Sequence, residues 1–132
     1  DGINTGLSLS TEPYDKDSLN IKNTNVMGIF AGYAGNGFRG GFEFDTKTQD
    51  DVSGQIFSIY STYKINDKLS ILGRLDQVDE NTSKNNDNFS SIIAGVHYRA
   101  ATGLTIAPTF RAKAPKDGEL ENSIVINFQF SI

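Results

Sequence analysis

The chain has 132 residues, 12 basic against 16 acidic side chains for a net charge of -4, and no cysteine. That length allows one domain or a piece of one, the acidic balance argues against nucleic acid as a partner, and the missing cysteine excludes disulfides, thiolate metal sites and a cysteine nucleophile. No run of about 18 apolar residues exists, which excludes a membrane-spanning helix and leaves spanning by strands, since these need only about 9 to 11 residues of alternating polarity.

The chain begins Asp1-Gly2 and its only methionine is Met27, so it reads as a processed or truncated product. Apolar residues recur at every second position, and helical spacing is almost absent. The spacing predicts eight strands in chain order. Strand one covers 3–10, and the charged stretch TEPYDKDS at 11–18 is predicted as a loop. Strand two covers 19–33 and ends on the tight turn Ala34-Gly35-Asn36-Gly37, whose residues tolerate the positive φ that hairpins require. Strand three, 38–46, leads through KTQDDV at 47–52 into strand four, 53–65. Asn66-Asp67-Lys68 turns the chain into strand five, 69–78, and DENTSKNNDN at 79–88 separates that from strand six, 89–100. Ala101-Thr102-Gly103 connects strand seven, 104–113, and APKDGELE at 114–121 leads to strand eight, 120–132. Short turns thus alternate with longer charged loops, as in an up-and-down meander with two unlike rims.

Sorting strand residues by parity separates two faces. One carries Leu7, Leu9, Met27, Ile29, Phe42, Phe44, Phe57, Ile59, Ile71, Leu75, Ile92 and Phe110, and it ends in Ile124, Ile126, Phe128, Phe130 and Ile132. The other carries all four arginines, Arg39, Arg74, Arg99 and Arg111, together with Lys22, Lys64 and Lys113 and the acids Glu43, Asp45 and Asp76. Phe30, Ile56, Leu72 and Ile93 are apolar exceptions on that polar face. Parity does not say which face points outward, because a soluble barrel hides its apolar face. Tyr33, Tyr63 and Tyr98 argue for the inverted arrangement: each lies on the apolar face just before a short turn, at one rim, where a ring with a wet hydroxyl suits a membrane interface. Pro108 falls inside strand seven and predicts a local bulge there, since proline offers no N–H to a ladder.

The closing segment SIVINFQFSI resembles the C-terminal assembly signal of Gram-negative outer-membrane β-barrel proteins, with apolar residues at alternate positions back from the terminus and Ile where an aromatic is usual. TGLTIAPTFRAKAPKDGELENSIVINFQFSI is similar to the final hairpin of phosphate-selective-porin-like proteins, in which a T-I-A-P strand with an Arg three residues after the Pro is followed by an acidic loop and the closing strand. The clear resemblance covers the last 30 residues or so. It implies an all-β, antiparallel up-and-down transmembrane β-barrel of about eight strands in this chain, either a single domain over 1–132 or the C-terminal half of a larger, sixteen-strand-type barrel. It also implies a cell outer membrane location and passive diffusion of small hydrophilic solutes, with no enzyme activity and no cofactor.

The basic residues of the polar face give that reading an anion preference, with Arg74, Arg99 and Arg111 as the leading lumen candidates and Arg39, Lys64 and Lys113 behind them. The competing reading pairs these arginines with Glu43, Asp45 and Asp76 in a filled interior. Expected partners are the lipid bilayer, the barrel-assembly machinery and small anionic solutes, with a homo-oligomer open and nucleic acid excluded. A small closed outer-membrane barrel with a structural or adhesion role is the alternative, and a soluble ligand-binding β-barrel is the second. The sole histidine, His97, lacks neighbours for a metal site. AGYAGNGFRGG has no Gly-Lys-Ser/Thr and no following helix, so it reads as a hairpin rather than a phosphate loop. The acidic loops lack the oxygen spacing of a calcium loop.

Overall fold

The computed structural model describes residues 1–17 and 20–131. It contains eight strands: β1 (Gly2–Asp17), β2 (Asn20–Gly35), β3 (Phe38–Gln49), β4 (Val52–Lys64), β5 (Leu69–Asp79), β6 (Asn88–Ala101), β7 (Leu104–Pro115) and β8 (Glu121–Phe130). They form one antiparallel sheet in sequential order, each strand pairing only with its chain neighbours. Among the described residues β1 and β8 do not touch, so the sheet is an open meander with two free edges. No helix of the described residues is long and apolar enough to cross a membrane.

The turns follow from residue type. Asn36 and Gly37 stand at φ 52° and 78° between the paired residues Gly35 and Phe38, the two positive angles of a type I′ turn whose twist matches the flanking strands. Asn66 turns the next corner by accepting the amides of Lys68 and Leu69 on its side-chain oxygen. Gly103, at φ 77°, makes the third, and a Cβ there would press on the carbonyl of Ser131. The following strands are tied back to these turns: the amide of Lys64 donates to Gly37, that of Arg99 to Lys68 and that of Ser131 to Gly103, each over 2.8 Å.

Three local expectations are corrected. TEPYDKDS is not a loop as far as it is described: Thr11 to Asp15 continue β1 opposite Asn25 to Ile21 of β2. KTQDDV is likewise mostly strand, with Gln49 pairing Val52 around the two-residue turn Asp50-Asp51. The rims are therefore less unlike than the sequence implies, and only 80–87 and 116–120 are longer loops among the described connections. Pro108 makes no bulge, since the β6–β7 register is the same on both sides of it, with Gly95 opposite Thr109 and Tyr98 opposite Ile106. Proline is accommodated by a gap in that ladder while Pro108 stays paired with Ile126 of β8. The register shift lies instead at Arg99/Ala101, beside the turn.

No apolar side chain of the described residues is buried. The apolar face instead carries a level belt. In every strand four successive positions of that face are apolar or small, at 3–9, 27–33, 38–44, 57–63, 69–75, 92–98, 104–110 and 124–130. On the loop side most strands leave the belt on a polar residue, including Asn25, Thr46, Gln55, Gln77, Ser90 and Asn122. Strands joined at the loop rim carry the belt level: Leu9 is opposite Met27, Phe44 opposite Phe57, Leu75 opposite Ile92 and Phe110 opposite Ile124. Across each short turn it steps two residues toward that turn, so that Tyr33 meets Gly40, Tyr63 meets Ile71 and Tyr98 meets Ile106. One residue per strand, at about 3.3 Å along the strand and about 4.8 Å between strands, inclines the strands by about 35° to the normal of the belt, the tilt that strands adopt around a barrel axis.

Candidate functional site

With the belt taken as level, that is, normal to the axis about which the sheet curls, the hand of the sheet decides which face is concave. Neighbouring strands rotate by about -20 to -25°, so strands that curl around an axis wind about it as right-handed helices. With the short-turn rim uppermost, the direction of the belt's step then puts each following strand on the right when the sheet is viewed from its convex side. Lys64, Arg99 and Ser131 lie at the upper ends of ascending strands, and their amides point left, toward the preceding turn. For an L-residue on an ascending strand, an amide pointing left turns the side chain away from the viewer. Lys64, Arg99 and Ser131 therefore belong to the concave side, and so does the whole polar parity. The apolar belt is the convex surface.

Register assembles the polar face into rows. One row runs Gly32, Gly41, Tyr60, Arg74, Ile93, Arg111 and Ser123 across β2 to β8, and the next, nearer the loops, runs Phe30, Glu43, Ser58, Asp76, Ser91 and Lys113. Side chains here lean on one another and on small neighbours. The Phe30 ring fills the space a Cβ at Gly6 would need, and the Asp45 carboxylate does so at Gly28. The three buried polar side chains, Ser58, Asp76 and Thr109, all belong to this face.

The predicted cations divide. Arg74 is half-buried and bound: its Nε donates to Asp76 Oδ1 over 2.7 Å and its Nη2 to Ser58 Oγ over 3.1 Å, while Ser58 Oγ donates to the same carboxylate oxygen over 2.6 Å. Lys64 stands at the short-turn rim, where its Nζ pairs with Asp67 over 2.6 Å. The Lys64 ammonium holds the Asp67 carboxyl below the usual carboxylate range, chiefly through that hydrogen bond and with a smaller contribution from Arg99. Arg39, Arg99 and Arg111 are exposed on the polar face and make no ion pair with a described residue. Lys113 Nζ sits 4.1 Å from the centroid of the Phe89 ring, a cation–π contact that steadies the chain without neutralising it. His97 lies opposite Ser70, and no group of metal-ligating side chains occurs among the described residues.

Tyr33, Tyr63 and Tyr98 are half-exposed on the convex face at one rim, and the Tyr33 ring stacks on Phe38 at 6.4 Å between centroids. Ile124, Ile126, Phe128 and Phe130 form the outer edge of the belt on β8, and Ile132 lies outside the described residues. Ser58 is the residue that parity reasoning missed. Its type is unremarkable, and only the register that sets it beside Asp76 reveals its part. No family model matches the chain, and neither a curated protein nor a solved structure is significantly similar to it.

Proposed function

We propose that this chain is wall of an outer-membrane, porin-type β-barrel of the sixteen-strand type, which lets small hydrophilic solutes diffuse passively with a preference for anions. The observation that carries the reading is the level apolar belt on the convex face, stepping one residue per strand, with the cationic face on the inside of the curve. Such a belt matches the hydrocarbon layer of a bilayer, and the tyrosines at one rim suit its headgroup level. Two unpaired edges favour a barrel with more strands than these eight, because an exposed ladder in a bilayer leaves backbone groups without partners. On this reading the alternating tail of β8 is the segment read by the barrel-assembly machinery, and Arg39, Arg99, Arg111 and Lys113 supply the positive potential that draws anions. No cofactor and no covalent step enter.

A closed eight-stranded barrel with a structural role is the second reading, favoured by Phe30, Ile56, Leu72 and Ile93 on the concave face, where large apolar groups fill space. Conductance in planar bilayers of the full-length protein that carries this chain separates the two. Stepwise conductance with anions preferred, shifting toward cations when Arg39 and Arg111 become Glu, supports the channel; a folded protein without conductance leaves the closed barrel. A protein that stays monomeric in water without detergent sinks both.

A further inference from the structure

The arginines of the concave face exist in two conditions. Arg74 belongs to a closed triangle with Asp76 and Ser58, in which every pair of groups shares a hydrogen bond, and its partners are 8% and 1% exposed. Arg111 stands in the same register row, two strands further on, because Arg74 is opposite Ile93 and Ile93 opposite Arg111. At about 4.8 Å per strand the two arginines sit about 10 Å apart at their backbones. Arg111 is exposed, and neither it nor Lys113, two residues along on the same face, makes an ion pair with a described residue.

Charge alone therefore ranks these cations differently from position. A guanidinium held against a carboxylate presents a dipole, whose field fades faster than that of a charge and is further screened over a Debye length of about 8 to 10 Å. An unpaired guanidinium keeps its full charge and its fork of donors for a passing anion. We propose, resting on the channel reading above, that Arg74, Asp76 and Ser58 form a charge-neutral clasp that stiffens the wall, and that Arg111 with Lys113 beside it discriminates between anions and cations on the loop-side half of this face. Asp76 and Ser58 are positioning residues: they take Arg74 out of the set of free cations. The partner of Arg111 and Lys113 is a small hydrated anion in transit, held by nothing deeper than this exposed pair.

The test is the reversal potential, in planar bilayers under a KCl gradient, of the full-length protein that carries this chain. Arg111→Gln with Lys113→Gln lowers the anion-to-cation permeability ratio by about threefold. The double variant Arg74→Gln with Asp76→Asn leaves the ratio unchanged, and Asp76→Asn alone raises it by freeing the guanidinium. A clasp variant that lowers the ratio as far as the Arg111 and Lys113 variant overturns the proposal. Phenylglyoxal labelling of the same protein in micelles, mapped over the four arginines of this chain, decides the clasp without any conductance. Arg111 is modified first, and Arg74 is protected until Asp76 becomes Asn; equal labelling of the two in the wild-type chain refutes the clasp. Absence of conductance with Arg74 still protected defeats the channel reading and the selectivity role, but not the triangle.

Discussion

The two faces of this sheet are built by different rules. The convex face is uniform: eight strands carry apolar or small groups over the same width, and the boundary is kept level by register even though no side chain of the belt is buried. The concave face is particular, with one tight triangle, one ring laid over a glycine, one lysine over a phenyl ring and several cations left open. The first kind of order is collective, and any apolar side chain of the belt can stand in for its neighbour. The second answers to named pairs, and exchange of one residue is felt by its partner alone.

The largest effect that tests this contrast is a charge placed on either face of β4. Ile59 lies in the middle of the belt, between Phe42 and Leu75. Ile59→Arg is expected to cost about 2 to 4 kcal/mol of stability in a bilayer, the range for a cation at the midplane on a lipid-facing strand. Thr62→Glu puts a charge on the opposite face, across from Arg39, and should stay within about 0.5 kcal/mol of the wild type. Urea unfolding from lipid vesicles, followed by gel mobility, reads both. Equal losses would mean that the convex face does not meet hydrocarbon.

A middle-sized effect belongs to the triangle. Ser58→Ala removes a donor from the buried Asp76 and an acceptor from the half-buried Arg74, and leaving buried polar groups short of partners costs about 1 to 3 kcal/mol. Ser61→Ala, three residues along on the belt face of the same strand, should be neutral or slightly stabilising in the same assay. A neutral result for Ser58→Ala as well would dissolve the distinction between a particular face and a uniform one.

These contrasts show where the sequence was readable. Strand number, antiparallel order, parity and the Asn36-Gly37 turn follow from alternation and turn chemistry, because the belt holds a period of two over four successive positions of one face in every strand. Beyond the belt the period disappears, although backbone pairing continues. That is why Thr11 to Asp15 and Lys47 to Gln49 look like loops and are strand. The arginines of the concave face were legible as a set, since parity collects them. Their division into bound and open was not, because it depends on register: Asp76 shares a strand with Arg74 and is visible from spacing, but Ser58 reaches them from the neighbouring strand.

The smallest effect lies at the rim, where neither rule is strict. Asp67 is fully exposed in the β4–β5 turn, and the Lys64 ammonium keeps its carboxyl ionised to a lower pH than in the unfolded chain. A carboxyl whose folded pKa is depressed contributes stability above its unfolded pKa, and that contribution disappears as the pH falls through the folded value. Asp67→Asn should therefore reduce stability slightly near neutral pH and make no difference once the medium is acid enough to protonate the folded carboxyl, below the usual carboxylate range. Solvent screening keeps an exposed pair of this kind weak, so the direct measurement is the carboxyl titration by NMR in micelles, with Lys64→Met moving the midpoint up toward its ordinary value. A midpoint that does not move in Lys64→Met would show that the turn, already held by Asn66 on the Lys68 and Leu69 amides, keeps its charge distribution without the lysine.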